Sequence, residues 1–408
     1  MKSVHIGPFL GMNNQLPQTQ YNVPDEGDFV RDARNVDILD SGTLRRRSGY
    51  TKLLDGRFSS LYAMGSTALC VHDGHLCRVN ALPDGQWSTT QLCQVRGTTV
   101  SYALVGEQVF CTDGYGVWRY AGLSVVQNSV AVPQAPLVGV STGGIPAGAY
   151  SFLCTRVRAY GEESAASAES DVVLDGDHGV TVTADNTPGV PGENLRLYMT
   201  TANGETFYRV ADIQPGETVV IDSMPDLHGA CQTTDLAPMP GGDIIRFFGG
   251  RLFTAKGPVL NSSRPYAHGL HHPEEDFFQF PQAITKVETV TDGMFICADR
   301  TWFMPSDFSS MREVLPYGAI KGDAARMPDG SLCWTTPRGI VQAMPGGEIR
   351  NIQEGKVKVD IKTDTTAGTT LIERDGLQQV VSTRLVRGSN SAMGVGSFMD
   401  AQIIRKGT

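Results

Sequence analysis

Five times along this chain an apolar strand runs into a short turn and a second apolar strand follows. The copies are ALCVHDGHLCRV (68–79), QVFCTDGYGVWRY (108–120), GMFICADRTWFM (293–304), SLCWTTPRGIVQA (331–343) and, more loosely, GGRLFTAKGPVLNSS (249–263). β-Branched and aromatic residues on both sides of a two- to four-residue turn predict β-hairpins. Their spacing of tens of residues is that of propeller blades, each a small antiparallel sheet. Helical periodicity is nearly absent. Glycine (46) and proline (22) are abundant and only 19% of residues are charged, which suits many short strands joined by tight turns.

The middle of the chain reads differently. A proline-rich join, VPQAP (132–136), leads into GAYSFLCTRVRAY, whose alternation predicts a strand with Tyr150, Phe152, Cys154 and Val157 near one core, with a slip or bulge along the way. GVTVTA, NLRLYMTT, TFYRVADI and ETVVIDS follow, divided by Gly, Pro, Asn and Asp turns, and TDLAPMPGGD (234–243) closes the region. About seven short strands in roughly 100 residues predict a β-sandwich. The expected organisation is all-β: a β-propeller in two parts, 1–132 and 236–408, with an inserted fibronectin-III/immunoglobulin-like β-sandwich at 133–235. At roughly 40–45 residues per blade the flanking parts leave room for about seven blades.

Composition limits the function classes. A net charge of −9 and a pI near 5.4 argue against a surface that grips nucleic acid as a whole. Cys70, Cys77, Cys93, Cys111, Cys154, Cys231, Cys297 and Cys333 contain no C-x-x-C pair, and most sit in apolar runs as small core residues of a protein made in a reducing cytosol. The N-terminus has no signal-peptide pattern and no stretch approaches the roughly 18 apolar residues of a membrane helix, so a soluble chain is expected.

Catalytic signatures are missing: no G-x-S-x-G elbow, no P-loop, no dinucleotide fingerprint. In HGLHHPEEDFFQF, His268, His271, His272, Glu274, Glu275 and Asp276 have the chemistry of metal ligands but match no zinc spacing, and Pro273 breaks a helix there; a polar loop is the expectation. His72 and His75 flank a hairpin turn. Asp73, Asp113 and Asp292 could suggest glycosidase carboxylates, yet each precedes glycine at a hairpin turn, where Asp-Gly is favoured because both residues tolerate positive φ. CTDGYGVW comes near the sialidase box with its glycines misplaced. Neither an enzyme, a cofactor nor a metal is expected.

The stretch NVDILDSGTLRRRSGY (35–50) is the most informative. Three arginines, Arg45, Arg46 and Arg47, stand beside a turn in an acidic protein. On a strand Arg45 and Arg47 face one side and Arg46 the other, so a single ligand cannot engage all three. A solvated or internally paired edge, a subunit interface rich in carboxylates, and a phosphate contact are the three readings.

ARNVDILDSGTLRRRSGYTKL (33–53) resembles the N-terminal signature of the β-propeller tail proteins of short-tailed bacteriophages, the nozzle or tail tubular protein B and the related DNA-stabilising hub; Asn35, Val36, Gly42, Leu44, Arg47, Gly49 and Tyr50 carry the match. IPAGAYSFLCTRVRAYGEESAASAES (145–170) resembles the first strands of the fibronectin-III-like insert of such proteins. FFGGRLFTAKGPVLNSSRP (247–265) with DFFQF (276–280) resembles the blade resuming after it. The resemblance implies a structural virion protein: a hexameric ring below the portal and adaptor, touching other tail proteins, assembled in the host bacterial cytoplasm. Its channel would retain the packaged genome and pass double-stranded DNA without sequence-specific binding. An acidic wall fits that role, since each basic contact to a phosphate would slow a moving duplex. Arg45, Arg46 and Arg47 are then expected at the subunit or adaptor interface. The alternative is a peripheral or tip adhesin that binds a host glycan or protein, with HHPEEDFFQF as its first candidate surface.

Overall fold

The structure is a computed structural model that describes residues 7–49, 51–359, 361, 365–374, 377–385 and 397–403. It is all-β, with only two single-turn 3-10 segments among the described residues. Each of the five hairpins read from the sequence forms the middle pair of a four-stranded antiparallel meander. The first sheet spans Phe58–Met64 to Trp87–Gln94, and the second Ser101–Val105 to Val125–Gln127. The third spans Ile244–Phe248 to Phe277–Gln279, the fourth Lys286–Val290 to Arg312–Leu315, and the fifth Ala325–Arg326 to Ile349–Asn351. A sixth, three-stranded sheet is made of Thr366–Arg374, Leu377–Leu385 and Ser397–Ile403.

The sheets stack face to face in chain order, which is why their strands are apolar on both sides. In Gly293–Cys297, Met294 and Ile296 join Phe253 and Leu260 of the third sheet, while Phe295 and Cys297 join Leu332 and Trp334 of the fifth. The same alternation sends Cys333 and Ile340 toward Val380 of the sixth sheet. Each such fully buried side chain contributes about 1.5–3 kcal/mol of transfer free energy. This succession of blade-like sheets is that of a β-propeller.

The inserted unit packs a three-stranded sheet on a four-stranded one. Leu137–Ile145 and Thr218–Ile221 flank His178–Thr183 in the first; the second runs Ser170–Leu174, Gly148–Val157, Asn194–Thr200, Phe207–Ile213. Tyr150, Phe152 and Cys154 point into the core between the sheets, as their spacing predicts. Neither the slip nor the bulge expected to bring Val157 inward occurs. Strand Gly148–Val157 keeps its register against Asn194–Thr200, so the next inward position is Arg156, which is fully buried.

Six blade-like sheets form among the described residues, where the length left room for about seven blades, and the N-terminal residues add none. Their strands are two to four residues long, and Phe9–Met12 runs parallel to Gly27–Val30. They pair in sheets of two and three strands and hold together around Pro8. A Cβ on Gly27 would lie 2.1 Å from the Pro8 carbonyl oxygen and one on Gly42 2.3 Å from Pro8 Cβ, and both glycines have positive φ. This N-terminal unit reaches the other end of the chain through Asn14. Its backbone N–H donates to Lys356 O (3.0 Å), its Nδ2 to Lys358 O (3.1 Å), and its Oδ1 accepts from Lys358 N (2.7 Å).

Candidate functional site

The arginine triplet lies on a two-stranded hairpin, Val36–Ile38 with Leu44–Arg46, outside the six sheets. Gly42 closes its turn, and the Gly42 carbonyl accepts a hydrogen bond from Phe9 N, which fixes the hairpin to the N-terminal unit. The alternation predicted for the three side chains is seen in their exposure. Arg45 and Arg47 are half-buried on the face of Asp37; Arg46 and Leu44 are exposed. Arg47 Nε meets Asp37 Oδ1 at 3.3 Å, and Asp37 is itself buried. Part of the triplet is therefore spent on holding the hairpin, and Arg46 is the arginine that it offers outward.

The histidine-rich loop is organised by arginines. Asp276 is buried and takes Arg251 Nη1 at 3.1 Å, Arg264 Nε at 3.3 Å and the His272 backbone N–H at 2.8 Å, while Glu275 pairs with Arg264. His268 packs edge-on against Phe110 and Phe247. Burial lowers the pKa of both His268 and His271, which keeps their rings neutral. Among the described residues no three His, Cys, Asp or Glu side chains converge as a metal would require.

The turn aspartates divide. Asp73 (φ 48°) and Gly74 (φ 73°) adopt the left-handed pair that Asp-Gly favours. Asp113 and Asp292 do not have positive φ; their carboxylates cap backbone amides instead. Asp113 accepts from Arg96 N (2.7 Å) and Tyr115 N (3.0 Å), Asp292 from Gly346 N (2.7 Å). A carboxylate so engaged is fixed structurally, and the positive-φ explanation applies to Asp73 alone.

Two charged groupings escaped the sequence reading. The first lies where the leading strands of successive sheets converge. Arg246 of the third sheet forks onto Glu288 of the fourth (2.7 and 3.2 Å) and donates to Ser101 Oγ of the second (3.2 Å). Lys286, two residues before Glu288 and fully buried, donates to the Gly322 carbonyl just before the fifth sheet. Burial pulls the Lys286 ammonium below the usual lysine range; for Arg246 the pull of burial is outweighed by Glu288 and the shift is upward. Arg246 also donates to the Tyr102 carbonyl (3.5 Å), and the Tyr102 hydroxyl is buried without a hydrogen-bond partner.

The second grouping welds the sandwich to the second sheet. Arg119 Nη1 and Nη2 grip both oxygens of Glu162 at 2.7 and 2.8 Å. Arg158 also binds Glu162 (2.8 Å), then Glu193 (3.2 Å) and the carbonyls of Gln127, which ends the second sheet, and Asn128, which follows it. Behind them the buried Arg156 pairs with Asp185 at 3.4 Å, whose other contacts include Gln134 N. A planar guanidinium suits such forked contacts better than an ammonium.

No family model and no curated protein matches this chain. Among solved structures it is similar to a streptogramin B lyase (9% identity, TM-score 0.34, covering 79% of this chain and 89% of that one). A virginiamycin B lyase from Staphylococcus aureus (10%, 0.34, 80% and 90%) and the WD40 β-propeller domain of Doa1 (9%, 0.30, 80% and 90%) are comparably similar. At these values the likenesses transfer neither a family nor an activity. No helix among the described residues is long and apolar enough to cross a membrane.

Proposed function

We propose that this chain is a structural component of a short bacteriophage tail. It assembles with copies of itself, as a hexamer by the resemblance of its sequence, into a ring below the portal and adaptor that retains the packaged genome and conducts it during ejection. The observation that carries this reading is the build of the 35–49 signature. Its residues enter no blade; they form a braced hairpin that holds Leu44 and Arg46 toward solvent. An exposed arginine beside an exposed leucine on a braced hairpin is what a protein interface uses.

Charge segregation supports self-assembly. Residues 133–235 contain 14 acidic and 4 basic residues and no lysine, so the sandwich carries more than the whole net charge of −9. All four arginines are in internal ion pairs: Arg156 and Arg158 as above, Arg196 with Glu163 and Asp212, and Arg209 with Asp212. Glu169, Asp171, Asp175 and Asp177 remain exposed around the edge strand Ser170–Leu174. In this reading Arg46 of one copy meets that edge on the next. An acidic ring also lets duplex DNA slide, because it forms few phosphate contacts. The outward Arg46 is compatible with a contact to the adaptor at the same site.

Native mass spectrometry of the purified chain, alone and with Arg46→Glu, tests the assembly. The reading expects a closed oligomer for the parent and monomers for the variant, with unchanged far-UV circular dichroism. A parent chain that stays monomeric at high concentration and in the presence of the adaptor contradicts it.

A further inference from the structure

Cys70 and Cys77 face each other directly across the middle hairpin of the first sheet. The register comes from the two-residue turn Asp73-Gly74, which makes His72 and His75 the closing hydrogen-bonded pair. Counting back by two along each strand, Cys70 and Cys77 occupy the next hydrogen-bonded pair, with α-carbons about 5.5 Å apart. That separation lies inside the range that a disulfide spans, about 4.4–6.8 Å. Both side chains point to the same face, where they cluster with Val79, Phe58, Leu54 and Trp87. Both are free thiols in the structure; Cys77 Sγ donates to the His75 carbonyl at 3.6 Å.

No other two of the eight cysteines are register partners in a strand pair among the described residues. We propose that Cys70 and Cys77 form a redox-labile dithiol that closes to a cross-strand disulfide when the chain meets an oxidising small-molecule disulfide. The thiolate of one cysteine attacks the small disulfide, giving a mixed disulfide and releasing one small thiolate. The partner thiolate then attacks the protein sulfur of that mixed disulfide and releases the second. Two protein thiols are oxidised, one small disulfide is reduced to two thiols, and the two protons go to solvent or to the released thiolates.

Two features set the character of the pair. The side chains of a hydrogen-bonded pair stand farther apart than those of a non-hydrogen-bonded one, so closing the bond strains the ladder and leaves it easily reduced. Burial pushes the Cys70 thiol up to about 11, with the neighbouring Cys77 adding to the shift. Thiolate is therefore scarce in the closed fold, and exchange waits on opening of the 51–57 segment that brings Leu54 over the pair. Oxidation is accordingly slow and steepens with pH.

The test uses the full-length chain, incubated with oxidised glutathione at pH 7 and pH 9, quenched, alkylated under denaturing conditions and mapped by mass spectrometry. The expected result is an intramolecular 70–77 crosslink, two hydrogens lighter, forming faster at pH 9 and reversed by dithiothreitol, while buried Cys154 and Cys333 stay alkylatable. Cys70→Ser and Cys77→Ser each abolish the crosslink. Should either variant fail to fold, the crosslink in the parent chain and its reversal decide the matter alone. The proposal is overturned if Cys70 and Cys77 remain as alkylatable as Cys154 after prolonged oxidation, or if Cys93 is the only cysteine modified.

Discussion

Arg119 and Glu162 form a two-pronged ion pair, 2.7 and 2.8 Å, that crosses from the second blade-like sheet to the inserted sandwich. With the Arg158 contacts and the Gln134 N–H bond to Asp185, this pair ties the sandwich to the sheet. Burial alone would raise the pKa of Glu162, but the hydrogen bonds from Arg119 and Arg158 outweigh it and the net shift is downward. A carboxylate with a depressed folded pKa contributes stability that is fully present above its unfolded value, near 4.3, and is lost as pH falls through the lower folded value. The sandwich should therefore loosen from the sheet below about pH 4. Small-angle scattering during acid titration should show extension there, and Glu162→Gln should show it already at pH 7. Because Glu162 is partly exposed, screening limits the loss to about 1 kcal/mol. An unchanged envelope across the titration would contradict the assignment.

Glu288→Ala should be far costlier. It leaves the largely buried Arg246 guanidinium (19% exposed) without its forked partner, near the fully buried Lys286. Breaking such a pair costs about 3–5 kcal/mol. Urea denaturation should report a loss of that order, with a smaller loss for Glu288→Gln, which keeps an acceptor. A loss under about 1 kcal/mol for the alanine variant would show that the cluster is wetter than its geometry suggests.

Asn14→Ala removes two side-chain hydrogen bonds that span 344 positions of sequence. At about 0.5–1.5 kcal/mol each the global cost is modest, but it falls on one seam. Hydrogen exchange should rise in residues 9–16 and 356–358 together and stay constant in the fourth sheet. Faster exchange spread evenly over the molecule would refute the role of this contact as a local clasp.

Arg46→Glu is expected to block assembly, and adding Asp171→Arg on the same chain should restore part of it by reversing the sign on both sides of the contact. Arg47→Glu is the informative control. It should destabilise the hairpin by losing Asp37, visible as a lower melting temperature, which Arg46→Glu should not produce. Equal effects of Arg46→Glu and Arg47→Glu on stability would contradict the division between an outward and an anchoring arginine.

The five hairpins were legible in the sequence because each couples local turn chemistry to an apolar run, as in the left-handed Asp73-Gly74 pair. The convergent cluster was not. Arg246, Lys286, Glu288 and Ser101 come from three separate sheets, and nothing local announces their meeting. Its trace was a charge inside an otherwise apolar strand: Arg246 within IIRFF, and Lys286 and Glu288 alternating with valine in KVETV. The inward turn of Arg156 was missed for the opposite reason. Apolar preference favoured Val157, while strict strand register, with Asp185 and Glu193 waiting as partners, favoured the arginine. For the arginine triplet, alternation alone separated Arg46 from its neighbours, but only the structure supplied Asp37 as the anchor of Arg47.

The central claim is a place on the tail axis, and immunogold electron microscopy of particles from the natural source tests it most directly, with an antibody raised against the folded chain. The account predicts label on the axial stub beneath the capsid. Label confined to fibres or to the periphery would contradict it, and would make recognition of a host glycan or protein the function to pursue.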